Sequence, residues 1–141
     1  MKTELDEALC RDFPNLYKSL RHRGPEAPSS FGFSTGDGWE PVIRRLSEKL
    51  EKLIVEMPED QREHCRASQV KEKFGGLRFY MSSSTAAMEK AITEAEDECS
   101  VLCETCGGTG SRRGGGWIRT LCDVCNAAYV NERLAKGRSS A

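Results

Sequence analysis

The sequence predicts an α+β fold: amphipathic helices packed on a β-hairpin, closed at the C-terminal end by a four-cysteine, zinc-ribbon-like module. Three observations predict it. Apolar residues recur every three or four positions over 2–22, 39–56 and 84–102. Alternation around Gly75-Gly76 marks a hairpin. Cys103-x₂-Cys106, fifteen residues, then Cys122-x₂-Cys125 is a metal-ligand spacing.

The 141 residues suit one domain with a small appendage. No stretch approaches the roughly 18 apolar residues of a membrane span. Met1 to Cys10 has no apolar core of the kind a signal peptide needs, which predicts a cytoplasmic protein. A net charge of −1 argues against a wholesale nucleic-acid coat but leaves room for a local basic patch.

Taken in order, Leu5, Ala8, Leu9, Phe13, Leu16, Tyr17 and Leu20 give a first helix, bent near Pro14. Residues 23–38 are rich in Gly, Pro and Ser and read as a loop, packed through Phe31 and Phe33. Gly36-Asp37-Gly38 resembles a phosphate loop only faintly, since no Lys-Ser/Thr follows. From Trp39 to Glu56 one stripe holds Trp39, Val42, Ile43, Leu46, Leu50, Leu53 and Ile54. Asp37 is the expected cap of this helix, Pro41 fits its first turn, Pro58 ends it, and its charged face reads as solvated surface.

A two-residue turn at Gly75-Gly76 pairs Phe74 with Leu77, Glu72 with Phe79 and Val70 with Met81 as the core face. Its other face sets Lys71 against Tyr80 and Lys73 against Arg78. Like charges placed opposite each other are destabilising. Those side chains either splay into water or receive an anionic partner. Met88, Ala91, Ile92, Ala95, Cys99 and Leu102 stripe the helix over 84–102, whose outer face carries Glu89, Glu94, Glu96, Asp97 and Glu98. An acidic face of this kind is also a candidate mimic of nucleic acid. Past Cys103 the sign reverses, with Arg112, Arg113, Arg119, Arg133, Lys136 and Arg138. A short helix is expected over 125–136 and a disordered tail over 137–141. The division is a body over 1–102, a closely coupled metal module over 103–136, and the tail.

Seven cysteines, an odd number, would leave a thiol over in a disulfide framework. Cys103, Cys106, Cys122 and Cys125 instead form a coordinatively closed S₄ shell, the signature of structural Zn²⁺. Cys10, Cys65 and Cys99 read as buried small residues. Cys99-x₃-Cys103-x₂-Cys106 also has the cluster spacing of radical S-adenosylmethionine enzymes, but the chain is too short for their barrel and the second pair would go unexplained. Cys103 to Gly110 is similar to one repeat of the cysteine-rich region of J-domain co-chaperones, over eight residues only.

Between the cysteine pairs, Ser111 to Arg119 joins Arg112, Arg113 and Arg119 to Trp117 and three glycines. Either this loop contacts a partner, with arginines on phosphates and the indole in a pocket or on a base, or Trp117 packs on the metal turns. The expected contact residues are therefore Lys71, Lys73, Arg78, Tyr80, Arg112, Arg113, Trp117 and Arg119. No catalytic residue is expected: His22 and His64 lie far in sequence from the cysteines, in no catalytic pattern.

Gly38-Trp39, the run Gln69 to Tyr80, the Cys103 pair and Gly116 to Asp123 resemble a family of small, mostly uncharacterised proteins encoded by bacteriophages and prophages, over roughly residues 36–125. In that family His often stands where Cys125 is, which would still complete a zinc site. The resemblance implies zinc binding and a phage context, without an assigned activity. The resulting expectation is a non-enzymatic binding module acting on a host or phage protein or nucleoprotein complex, for example as an anti-defence (anti-CRISPR) inhibitor. The alternative is direct nucleic-acid binding through the hairpin and the module's basic residues.

Overall fold

The computed structural model describes residues 1–21 and 33–139; Phe31, His22 and the rest of the loop over 23–32 lie outside the described residues. Among them the chain forms six α-helices, a three-stranded sheet and a separate two-stranded hairpin.

Helix α1 (Thr3–Asp12) stops before Pro14, and α2 (Lys18–Arg21) resumes after one turn. The bend is held by a residue from elsewhere in the chain. The Glu51 carboxylate accepts from the Asn15 and Leu16 amides at 3.0 and 2.8 Å, pairing two backbone donors that the bend leaves open. Strand β1 (Phe33–Ser34) then pairs in parallel with β2 (Ala67–Lys73), setting Phe33 beside Val70. A short 3₁₀ turn over Asp37–Trp39 leads into α3 (Glu40–Val55).

Asp37 does not cap α3. Its carboxylate accepts from the Lys2 amide at 2.8 Å instead, tying the N-terminus to this turn. Nor is the charged face of α3 simply solvated. Besides Glu51, Arg44 bonds Glu40 and Asp12 at 2.9 Å each, and Arg45 bonds Glu98. After α4 (Glu59–Arg62) come β2 and β3 (Gly76–Met81), then α5 (Ala86–Cys99), capped by the Thr85 hydroxyl.

The hairpin register differs from the expected one. Its two central turn residues are Phe74 and Gly75, both at positive φ (54° and 81°), so Val70 faces Phe79, Lys71 faces Arg78, Glu72 faces Leu77 and Lys73 faces Gly76. Alternation is preserved, and Val70, Leu77 and Phe79 still point inward. Phe74, expected in the core, is 61% exposed at the tip. Two contacts select this turn: the Glu72 carboxylate accepts from the Gly75 amide at 3.1 Å, and the Thr120 hydroxyl donates to the Gly75 carbonyl at 2.6 Å. They offset the cost of a left-handed phenylalanine, about 1–2 kcal/mol.

The core lies between the sheet's inner face and helices α1, α3 and α5. Tyr17, fully buried, stands edge-on to Phe33 with ring centroids 4.9 Å apart, and its hydroxyl shares a hydrogen bond with buried Ser47. Cys10, Cys65 and Cys99 are buried in this core, as the sequence predicts.

Past α5 the chain enters the first cysteine pair, crosses the hairpin β4 (Ser111–Arg113) and β5 (Arg119–Leu121), and ends in α6 (Asp123–Ser139). This helix includes the start of the segment expected to be a disordered tail. At 17 residues it is about 25 Å long, and none of its side chains over 123–137 is fully buried.

Candidate metal centre and the surface around it

The ligand atoms of Cys103, Cys106, Cys122 and Cys125 all lie within 4.8 Å of one another, close enough to hold a metal ion. The Cys106 and Cys122 sulfurs are 3.7 Å apart. A tetrahedron with metal–sulfur bonds of about 2.3 Å has edges of about 3.8 Å, so the site is compatible with zinc.

Each cysteine pair is shaped by its own backbone. In the first, the Gly107 amide returns to the Cys103 carbonyl at 2.9 Å and the Gly108 amide donates to the Cys106 sulfur at 3.4 Å, with Gly107 at φ 81°. The second pair is not the hairpin turn that a zinc ribbon would supply. Cys122 precedes α6 and Cys125 lies in its first turn, where the Cys125 amide donates to the Cys122 sulfur at 3.4 Å. A helix N-terminus favours thiolates there.

Two of the thiols are shifted in opposite directions. Burial opposes ionisation of Cys103, but amides of Cys106, Cys122 and Thr105 directed at its sulfur outweigh it and lower its pKa to about 6. Cys125 is pushed up to about 12, first by its hydrogen bond with Cys122, then by burial and by its other cysteine neighbours. Four thiolates this close repel one another unless a cation lies between them, which is the chemistry of a metal site.

Contacts at Gly38 and at the hairpin tip lock the centre to the body, and a bond to Leu102 fixes the residue that leads into it. The Gly38 amide donates to the Glu104 carbonyl at 2.7 Å, and a Cβ on Gly38 would stand 2.2 Å from the Cys103 carbonyl. The buried Trp39 indole donates to the Leu102 carbonyl at 2.9 Å. The hairpin tip reaches Thr120 through Gly75. The glycines of the faint phosphate-loop match therefore serve close backbone packing against the first cysteine turn.

Two of the expected contact arginines are committed internally. Arg119 donates to Glu104 at 2.8 Å, with Glu104 only 4% exposed, and lies over the Tyr129 ring at 4.9 Å. Arg113 donates to the Leu121 carbonyl at 3.0 Å and to Asp123 at 2.7 Å. Arg112 is exposed on β4, opposite Thr120.

Trp117 does not pack on the metal turns. It is 61% exposed beside Gly114-Gly115-Gly116. With Phe74, Lys73 and Ile118 it lines a cleft of about 300 Å³ between the two hairpin tips. Its other side borders a groove of about 360 Å³ against Tyr129, Val130, Arg133 and Leu134 of α6. Lys71 and Arg78 stand opposite each other on the outer face of β2 and β3, with the Lys71 ammonium 5.9 Å from the centre of the 40% exposed Tyr80 ring. The Lys73 ammonium is 5.8 Å from the Phe74 ring centre.

On α5, three of the five carboxylates bond within the protein: Glu89 with Ser84, Glu96 with the Phe79 amide and Glu98 with Arg45.

Sequence reasoning missed Phe74, Glu104 and Tyr129. Phe74 carries no mark that separates it from a core phenylalanine. Glu104, between Cys103 and Cys106, carries no mark of the burial that pairs it with Arg119.

No helix among the described residues is long and apolar enough to cross a membrane. Comparison with protein-family models, characterised proteins and solved structures finds no match to this chain.

Proposed function

We propose that this chain is a non-enzymatic binding module of the bacterial cytoplasm, encoded by a phage, in which Zn²⁺ held by Cys103, Cys106, Cys122 and Cys125 is a structural staple. Its partner is a host or phage protein or nucleoprotein complex, and inhibition of a host defence is one form such binding would take. The phage context rests on the sequence resemblance. The binding role rests on one observation: the four-thiol centre holds two hairpin tips so that Phe74 and Trp117, each 61% exposed, line one cleft without serving the core. Large exposed aromatics at a rigid site are typical anchors of interfaces.

Four protein ligands fill a tetrahedral shell and leave no position for water or substrate, which supports a structural rather than a catalytic ion. The nearby Glu104 carboxylate is engaged by Arg119 and is not available as a general base.

The test is affinity purification of the tagged, zinc-loaded chain from infected host cells, with and without nuclease, beside a Trp117→Ala control. A partner retained by the parent and lost from the variant is the expected result. Equal recovery from both refutes the reading.

A further inference from the structure

We propose that the cleft between Phe74 and Trp117 is a base-stacking site for single-stranded nucleic acid, continued by Lys73, Lys71, Arg78 and Tyr80 along the outer face of the hairpin. The inference rests on the reading of the chain as a binding module and names its ligand.

Phe74 occupies the first central position of a turn with positive φ at both residues, where Asn, Asp or Gly would fit without strain. It is exposed there, so neither turn geometry nor core packing accounts for a phenyl ring. Such an outlier points to a role outside folding. Trp117 is a second ring of the same kind, carried by a different hairpin and lining the same cleft. Two rings from separate elements, held by the Thr120–Gly75 hydrogen bond, form a platform for a planar group. Stacking on aromatic side chains is how unpaired bases are held, because every base has a π-face.

Charge selects the polyanion. Lys73 lines the cleft, and Lys71 and Arg78 lie beyond it on the outer face of β2 and β3. Like charges placed opposite each other cost stability in the free protein and are relieved by a phosphate. Tyr80, beside Lys71, offers a further ring on that face. Glu72 is the one carboxylate lining the cleft, and the Gly75 amide already engages it. Bases inside a duplex are stacked on both faces and offer the cleft nothing to stack on, so a duplex should bind far more weakly.

The two tryptophans make the test direct. Trp39 is fully buried, so a change in emission on titration reports Trp117. The zinc-loaded full chain is titrated at low salt with a short oligothymidylate, and separately with its duplex with oligoadenylate. Saturable quenching by the single strand and at least tenfold weaker binding of the duplex are expected. Phe74→Asn should weaken binding by about 5- to 150-fold while leaving the melting temperature equal or higher, since Asn suits the turn. Three phosphate contacts give a slope of log K against log salt of about −2, and Lys73→Ala should reduce its magnitude by about 0.7.

No quenching, equal affinity for the duplex, or unchanged affinity in Phe74→Asn overturns the proposal. A nuclease-resistant protein partner that is lost from Phe74→Asn, with no oligonucleotide binding, overturns the nucleic-acid assignment alone and leaves the binding-module reading standing. A parent chain that binds no oligonucleotide and captures no partner overturns both.

Discussion

Replacing Arg119 with alanine separates an arginine that holds the fold from one that waits for a partner. Its guanidinium donates to Glu104 at 2.8 Å and covers the Tyr129 ring at 4.9 Å. The substitution leaves the Glu104 carboxylate, 4% exposed, without its cation. Breaking a buried pair in this way costs about 3–5 kcal/mol, mostly as the desolvation of the stranded charge. The Arg119 side chain is itself 23% exposed, so water reaches one side of the pair and the lower end applies, about 3 kcal/mol. For a chain of this length that lowers the melting temperature by about 10 °C. Urea unfolding of the zinc-loaded protein, followed by circular dichroism, measures it. Glu104→Gln in the Arg119→Ala background removes the stranded charge and should recover about half of the loss. Arg112→Ala, at an exposed position, should change stability by less than about 0.5 kcal/mol. If Arg119→Ala is as mild as Arg112→Ala, Arg119 is a surface residue and the structural assignment is wrong.

Gly38→Ala places a methyl 2.2 Å from the Cys103 carbonyl and 2.6 Å from the Glu104 carbonyl, both backbone atoms that no rotamer change can move. It should cost about 3 kcal/mol or more and speed metal loss to a chelator, whereas Gly116→Ala, with nothing within 4 Å of the new methyl, should do neither. Asp12 ionises below the ordinary carboxylate range, chiefly because Arg44 hydrogen-bonds it. A pKa lower in the folded than in the unfolded state means that this contribution is present above the unfolded value and lost as pH falls through the folded one; Arg44→Ala should raise the Asp12 titration followed by carboxyl ¹³C NMR. Cys103→Ser with Cys122→Ser should abolish bound zinc by elemental analysis and lower the thermal transition, because structural zinc contributes about 10–16 kcal/mol in small finger peptides. An unchanged transition and metal content would refute the four-ligand centre.

The helices and the cysteine centre were legible because each follows from a local rule. Helical spacing of apolar residues marks α1, α3 and α5, and thiolate spacing marks the ligands. What escaped the sequence depends on long-range partners. The hairpin turn moved by one residue because Thr120, 45 positions away, bonds the Gly75 carbonyl. Asp37 lost its capping role to the Lys2 amide, and Glu51 left the solvated face to hold the bend at Asn15. Arg119 was counted as a free cation because its partner Glu104 could not be known to be buried. The C-terminal helix ran past its expected end for the opposite reason: none of its side chains over 123–137 is fully buried, so its length follows from local propensity, and Gly137 did not suffice to stop it.

The boundary between Leu102 and Cys103 is a boundary in the sequence and not in the packing. A module that merely followed α5 would share one covalent connection with the body, and its metal would stabilise only itself. Here the first cysteine turn is bonded to Gly38, the indole of Trp39 reaches back to Leu102, and the second hairpin holds the tip of the first. Each joint uses backbone or fully buried groups, so none can open without leaving a polar group unpaired. Free energy from metal binding at this centre would therefore enter the body through Gly38 and the β2–β3 turn as well as through the chain. The same coupling fixes where Phe74 stands relative to Trp117, because the hydrogen bond that selects the strained turn comes from the strand leading into Cys122. Two aromatic rings that contribute nothing to the core are thus placed by the centre that closes it, and losing the metal should release the cleft along with the fold around it.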